Sequence, residues 1–148
     1  TMDIMRMESG FLHWGHDITP EENQYQAGLN FTISYKKPFD FIGKEKLLKF
    51  KDQRLYKRFV MLVLKVNNPG SPLLLHDEPI YLDNKIIGKT TSGNYSFNYN
   101  KNLSFGYIKS ELPNEILKNK NLSIEVEKKK YLVELLLKPL KENNFKNM

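Results

Sequence analysis

Residues 122–137, LSIEVEKKKYLVELLL, decide the fold. Apolar side chains occupy every second position before the basic pair Lys128-Lys129, at 122, 124 and 126, and again after it, at 131, 133, 135 and 137. A period of two is the pattern of a strand that buries one face. Two such strands around a short polar turn predict an antiparallel β-hairpin.

Further segments upstream also have strand character. The run 59–66 is almost continuously apolar, which indicates a strand covered on both faces. Asp83-Asn84, between residues 80–82 and 85–88, is a two-residue hairpin signal, and 103–108 is another strand. Five or six short strands predict a small barrel or sandwich, because closing a sheet removes its exposed edges.

The first fifty residues carry more mixed patterns. Residues 1–12 show a partial helical stripe that stops at Gly10. The sequence over 19–22, TPEE, has the order of a capped helix start, and the alternation over 28–34 predicts a strand. Apolar spacing over 41–50 predicts a short amphipathic helix. We therefore expect an α+β chain that is mainly β.

The composition excludes several classes of protein. A chain of 148 residues with 40% apolar and 12% aromatic residues suits one globular domain and is too apolar for disorder. The absence of cysteine excludes disulfide frameworks and thiolate metal sites, and it fits a reducing compartment. The longest apolar run, 59–64, is far too short to cross a bilayer, so we expect no membrane partner.

The net charge of +6 comes almost entirely from lysine, since only three residues are arginine. A nucleic-acid surface typically clusters basic residues among exposed aromatic side chains and uses arginine for forked contacts. The lysines here are scattered, which argues against nucleic acid as a partner. A small basic nucleic-acid-binding barrel, with tyrosines at 95, 99 and 107, stays one alternative.

Residues 6–20, RMESGFLHWGHDITP, hold two histidines, the sole tryptophan and an arginine–glutamate pair. His13, His16 and Asp17 are residue types that bind zinc, but a structural site normally needs a fourth ligand and Gly15 interrupts a helix. Histidines hydrogen-bonded within a packed turn are the simpler interpretation, and we predict no metal site.

Arg6 and Glu8 lie two positions apart, so they do not face each other on a helix. Each needs a partner elsewhere. For Arg6 two interpretations stay open, an ion pair with another segment or a carboxylate ligand for its forked guanidinium.

The segment 88–96, GKTTSGNYS, contains the Gly-Lys-Thr of a phosphate loop. No glycine precedes Gly88 by five residues, so the spacing of that loop is absent. The simpler interpretation is that Gly93 permits a bulge or a close backbone approach in a strand.

Three motifs in order resemble the glycine-cleavage T-protein (aminomethyltransferase) family. The first is Arg6-Met7-Glu8-x-Gly10 followed by 13–20, HWGHDITP, the second is 41–45, FIGKE, and the third is 88–96 with 105–108, FGYI. The first motif is most similar to the folate-binding half of dimethylglycine and sarcosine dehydrogenases. The resemblance covers residues 4–140 and is carried by the three motifs together.

This resemblance implies three parts in the chain. Residues 1–52 are expected to be the C-terminal remnant of a folate-binding domain, 53–142 a small antiparallel β-barrel and 143–148 a polar tail. The activity implied is transfer of a one-carbon unit to tetrahydrofolate from an amine such as dimethylglycine, sarcosine or glycine-derived aminomethyl. The cofactor-binding residues implied are Arg6, near the folate, and Trp14 and Tyr95 as aromatic faces.

The family's catalytic aspartate and the glutamate that reads the pterin precede the first motif. We therefore expect no catalytic residue in this chain, no turnover by it alone, and FAD only in an upstream domain. That domain, folate and a small amine are the expected partners, and the expected location is the cytoplasm, or the mitochondrial matrix in a eukaryote.

The main alternative is a non-catalytic binding or interaction module. Apolar surface around Phe11, Leu12 and Trp14 would then dock another domain or a second copy of the chain. This alternative predicts self-association.

Overall fold

The computed structural model describes residues 2–141. Its strands are β1 (Lys57–Leu64), β2 (Pro79–Leu82), β3 (Lys85–Ser96), β4 (Lys101–Lys109), β5 (Leu122–Val126) and β6 (Lys129–Leu136). Its helices are α1 (Met2–Glu8), α2 (Lys44–Lys51) and α3 (Asn114–Leu117), with a 3-10 turn over Asn30–Thr32. The expected tail at 143–148 lies outside the described residues, and the boundary at 52 stays a prediction.

The six antiparallel strands close into a barrel in the order β1-β4-β3-β2-β5-β6, which confirms the mainly β class. The last two strands pair as predicted, with Ile124 opposite Tyr131. Their turn lies one residue earlier than predicted, at Glu127 and Lys128, where φ is 50° and 62°. Positive φ at both central residues is the geometry of a type I′ hairpin turn, and Lys129 already belongs to β6.

The two faces of β1 pack into two different cores. The core inside the barrel contains Val60, Leu62, Leu64, Leu74, Ile80, Ile108, Leu117, Leu122, Ile124, Val126, Val133 and Leu135. On the outer face, Val63 packs with Leu103 and Phe105 against Met7 of α1. Phe59 meets Phe105 edge-on, with 5.0 Å between ring centroids. The predicted strand over 59–66 is confirmed up to Leu64, where β1 ends, and it is covered on both faces.

Gly93 lies where β3 passes directly beside Leu74. A Cβ at position 93 would sit 2.3 Å from the Cβ of Leu74. The pairing of β3 with β4 also shifts its register between Thr90 and Ser92. The predicted close approach is confirmed, and space rather than turn geometry requires the glycine.

Among the elements predicted for the first fifty residues, the helix that stops at Gly10 and the helix within 41–50 are confirmed, whereas the helix start at 19–22 and the strand over 28–34 are wrong. Helix α1 ends before Gly10, whose φ is 76°, and α2 starts after Gly43. Residues 19–22 form a turn, because the Glu22 carboxylate accepts hydrogen bonds from the backbone and hydroxyl of Thr19 and from Lys57 of β1. Residues 28–34 form no strand, and no strand of the barrel pairs with them.

Arg58 fastens the start of β1 to the segment that follows β4. Its Nε donates to Asn114 Oδ1 at 2.7 Å, and its Nη1 donates to the carbonyls of Leu55 at 3.1 Å and Ser110 at 2.9 Å. Its Nη2 donates to the carbonyl of Leu112. Partial burial of the guanidinium lowers the pKa of Arg58. One side chain thus satisfies several carbonyls of a connection that has little regular structure.

Replacing Arg58 by methionine should lower the free energy of unfolding by about 2–4 kcal/mol, because several buried acceptors lose their donor. Urea denaturation followed by circular dichroism measures this change. The control is Arg54→Met, since the Arg54 side chain is 71% exposed and its loss should cost at most about 0.5 kcal/mol. Equal losses for the two variants would contradict the role given to Arg58.

Replacing Gly93 by alanine should destabilise the chain by about 1–3 kcal/mol, because the new methyl group overlaps Leu74. Thermal melts compare it with Lys85→Ala, a change at an exposed position of the same strand. If the Gly93→Ala and Lys85→Ala chains had the same melting temperature, β3 and Leu74 would be able to move apart at little cost in free energy.

Candidate functional site

The Asp17 carboxylate is buried where three segments meet: α1, the turn over 13–18, and β3. Its Oδ2 accepts from Arg6 Nη1 at 2.6 Å and from the backbone N–H of His13 at 2.9 Å. Its Oδ1 accepts from Thr91 Oγ1 at 2.5 Å and from Ser92 Oγ at 2.7 Å. Four donors around one buried carboxylate give a charge-assisted network that holds the segments together.

Arg6 uses most of its donors within this network. Its Nε donates to Asp3 at 3.0 Å, and its Nη1 also donates to the carbonyl of Phe11 at 3.2 Å. Its Nη2 donates to Ser92 Oγ at 3.0 Å, and the second Nη2–H has no acceptor among residues 2–141. The side chain is 15% exposed. Arg6 therefore can offer a ligand one N–H rather than the two-pronged fork that the sequence suggests.

Glu8 takes a separate set of partners, as its spacing from Arg6 predicts. It is buried, and its Oε1 accepts from Ser96 Oγ at 2.6 Å. The Nδ2 of Asn98 donates to both carboxylate oxygens, at 3.2 and 3.0 Å. In the described part of the chain, no lysine or arginine pairs with Glu8, so neutral donors alone stabilise its charge.

Two cavities adjoin the Asp17 network. A groove of about 1080 Å³ runs between residues 15–22 and strands β2, β3 and β4, and Asp17 and Thr91 lie along it. A smaller cavity of about 180 Å³ is lined by Arg6 and Ser92 together with His13, His16 and His76. His16, His76 and Thr91 line both cavities. Arg6, which has one N–H without an acceptor among the residues described, thus lines the smaller cavity.

The wall of the large groove carries a second ionic contact. Lys57 Nζ lies 2.6 Å from Glu22 Oε1 and 5.2 Å from the centroid of the Tyr107 ring. Burial of the Glu22 carboxyl opposes ionisation, but hydrogen bonds from Lys57 and Thr19 outweigh it and lower the pKa of Glu22. Burial raises the pKa of Tyr107, whose hydroxyl has no partner among the described residues.

The residues that the resemblance implies lie in different environments. Trp14 is 66% exposed, and its backbone pairs with that of Ile18 in the turn over 13–18. Asp17, which lies in the same turn, links this turn to Arg6. Tyr95 is 8% exposed, and its ring already packs edge-on against Phe97, with 4.9 Å between centroids. Asp17 and Ser92 were not predicted to act with Arg6. The place of Ser92 in the third motif is the one sequence signal that marks it. Because Ser92 lies 75 positions from Asp17, no local pattern reports their contact.

The two histidines of the turn stack on each other, with 4.7 Å between ring centroids. Within residues 2–141, no three histidine, aspartate or glutamate side chains are grouped so that they would hold a metal ion. The Gly-Lys-Thr of residues 88–90 lies inside β3 and precedes no helix. In the described residues no helix is long and apolar enough to span a membrane.

Known proteins share this architecture. The sequence model for the glycine cleavage T-protein C-terminal barrel domain matches residues 57–141. The mitochondrial dimethylglycine dehydrogenase of Homo sapiens is 32% identical over 139 residues, which are 94% of this chain and 15% of that protein. An aminomethyltransferase of Listeria welshimeri is 32% identical over 130 residues, covering 84% of this chain and 35% of that protein.

A solved structure has the same fold. The glycine cleavage system aminomethyltransferase T from Bartonella henselae superposes with a TM-score of 0.79 at 21% identity, over 95% of this chain and 38% of that one. The chain therefore spans a minor part of the length of the relatives it matches. Since the barrel-domain model matches more than half of its residues, the chain belongs to the glycine cleavage T-protein family, and residues 57–141 are its C-terminal barrel domain.

Proposed function

We propose that this chain is the C-terminal part of a tetrahydrofolate-dependent aminomethyltransferase-like protein. The whole protein would move a one-carbon unit to folate from a small amine such as dimethylglycine, sarcosine or glycine-derived aminomethyl. Similarity to a dimethylglycine dehydrogenase and to an aminomethyltransferase supports this proposal. The catalytic aspartate and any FAD site would belong to other parts of the parent protein.

The observation that carries the proposal is the free donor of Arg6. A guanidinium held by Asp17 and Ser92 keeps one N–H for a ligand beside a cavity of about 180 Å³. Folate ends in glutamyl carboxylates, and a charge-assisted N–H···O⁻ hydrogen bond suits one carboxylate oxygen. The exposed ring of Trp14 offers a face for a flat heterocycle or benzoyl group.

This chain would contribute binding and orientation, not proton transfer. Arg6 would hold the anionic end of the cofactor, and Trp14 would cover one ring face. When bound, tetrahydrofolate supplies the nitrogen that accepts the one-carbon unit. Tyr95 would contribute less directly, because it is 8% exposed and its ring already packs edge-on against Phe97.

Titration with 5-formyltetrahydrofolate tests the proposal directly. Since the chain has one tryptophan, quenching of its fluorescence reports contact beside Trp14. We expect saturable quenching together with a melting temperature that rises with folate concentration. Arg6→Lys should weaken binding about tenfold, because lysine reproduces neither the hydrogen bonds nor the orientation of the guanidinium.

The matched control is Arg54→Lys, which changes an exposed arginine away from Arg6. It should bind folate as the unaltered chain does. If folate neither quenches Trp14 nor raises the melting temperature, the chain lacks the binding surface that we assign to it.

A non-catalytic interaction module is the second candidate, and exposed apolar side chains favour it. Met2, Phe11, Trp14 and Phe31 are 83%, 55%, 66% and 79% exposed. A contiguous patch of large apolar side chains in contact with water typically marks a surface that binds another protein, and this candidate requires the four residues to form such a patch.

This second candidate predicts concentration-dependent self-association in sedimentation velocity. Replacing Phe11 and Trp14 by serine should shift the chain toward monomer, because each loses apolar contact area. Phe97→Ser is the control, since Phe97 is an exposed aromatic residue of the barrel. A monomer at every concentration would exclude self-association as the function of this surface.

A further inference from the structure

We propose that Asp17 is a positioning residue, which fixes the Arg6 guanidinium so that a single N–H is left for an oxyanion ligand. The inference rests on the proposed function only for the identity of that ligand as a folate carboxylate. The positioning itself follows from contacts within the chain and can be tested without any ligand.

Asp17 controls both ends of the guanidinium. Its Oδ2 binds Nη1 of Arg6 directly, at 2.6 Å. Its Oδ1 accepts a hydrogen bond from the hydroxyl of Ser92 at 2.7 Å. A lone pair of Ser92 Oγ is therefore free to accept Nη2–H of Arg6 at 3.0 Å. A serine hydroxyl has one proton, and therefore its orientation depends on which acceptor takes that proton.

The carboxylate cannot turn away from Arg6 easily. Thr91 Oγ1 shares Oδ1 with Ser92, and the backbone N–H of His13 shares Oδ2 with Arg6. The Asp17 side chain has no exposed surface. All four neighbours are donors, so an asparagine at position 17 would satisfy only those that face its one oxygen and would turn an amide N–H₂ toward the rest.

Asp3 provides the contrast within the same site. It also pairs with Arg6, through Nε at 3.0 Å, but its side chain is 64% exposed. Asp3→Asn and Asp17→Asn remove the same charge beside the same guanidinium. Only Asp17→Asn disrupts the buried network, so a difference between the two variants separates orientation from charge.

The two explanations predict opposite changes in affinity. If charge alone matters, removing the Asp17 carboxylate strengthens the positive field at Arg6, and an anionic ligand binds more tightly. If orientation matters, Asp17→Asn weakens binding although a negative charge is gone. A purely structural role would change the melting temperature without changing the affinity of the folded chain.

Arginine side-chain NMR of the ¹⁵N-labelled chain measures the orientation directly. The chain contains three arginines, and Arg6→Lys identifies the signals of Arg6 by their loss. We expect slow rotation of the Arg6 guanidinium, seen as separately resolved Nη protons, in the unaltered chain and in Asp3→Asn. In Asp17→Asn those signals should average, with hydrogen exchange about tenfold faster or more, because the one amide oxygen can replace only one of the two carboxylate oxygens, so either Nη1 or the Ser92 hydroxyl that orients Nη2 loses its acceptor.

Folate titration gives the second readout. Asp17→Asn should weaken 5-formyltetrahydrofolate binding about tenfold, while Asp3→Asn keeps or improves it. Resolved Arg6 signals in Asp17→Asn, or folate affinity that is unchanged or higher in that variant, would overturn the inference. If the unaltered chain does not bind folate, the proposed function fails, whereas the NMR result still decides the role of Asp17.

Ser92→Ala keeps the test decisive if Asp17→Asn does not fold. That change removes the link between Oδ1 of Asp17 and Nη2 of Arg6 with little change in volume. Rotation of Nη2 alone should then accelerate. An Arg6 spectrum identical to that of the unaltered chain would count against positioning through this path.

Discussion

Closure of the barrel is the constraint on which the rest of this structure depends. Each of the six strands pairs with two neighbours, and the described part of the first fifty residues adds no further strand to the sheet. Those residues attach to the barrel through the backbone hydrogen bond that the N–H of Phe59 donates to the carbonyl of Gln26 at 2.7 Å, and through side chains. Three carboxylates reach across for this purpose: Glu8 accepts from Ser96, Asp17 from Thr91 and Ser92, and Glu22 from Lys57.

In these contacts the acceptors belong to the first fifty residues and the donors to the barrel. The site therefore lies at the interface between these two parts of the chain. Asp17 serves both purposes at once. It joins the turn over 13–18 to β3, and it is the counter-ion of Arg6. The same carboxylate thus links the stability of the junction to the direction in which the guanidinium points.

The barrel was largely predictable, because alternation in the strands reports one buried face and depends on neighbouring residues alone. The hairpin of β5 and β6 was displaced by one residue, since apolar spacing does not show where φ turns positive. The strand expected over 28–34 failed for a non-local reason. Its alternation is real, but a strand also needs a partner, and the barrel is already closed.

The site was predictable only in part. The resemblance in the first motif implied Arg6 and Trp14, and that in the third implied Tyr95, but neither motif shows that Phe97 packs on Tyr95 or that Arg6 has one donor left. Ser92 lies 86 positions from Arg6, and no local pattern reports a contact across that distance. The sequence marks Asp17 as a zinc-binding residue type beside histidines and as part of the first motif, and neither pattern pairs it with Arg6.

Because β1 and β6 are antiparallel neighbours, the first strand begins and the last strand ends toward the same end of the barrel. Met61, in the middle of β1, lies opposite Leu136, the last residue of β6, and the first residues of β1 extend beyond the end of β6. The chain then returns to α1, where the N–H of Lys141 donates to the carbonyl of Glu8 at 2.9 Å. A unit whose chain arrives and departs side by side can be fused to polypeptides of very different size without distorting its own strands. The residues of this chain that align with two of its relatives make up 15% and 35% of those proteins, so similar sequence occurs in proteins of very different length.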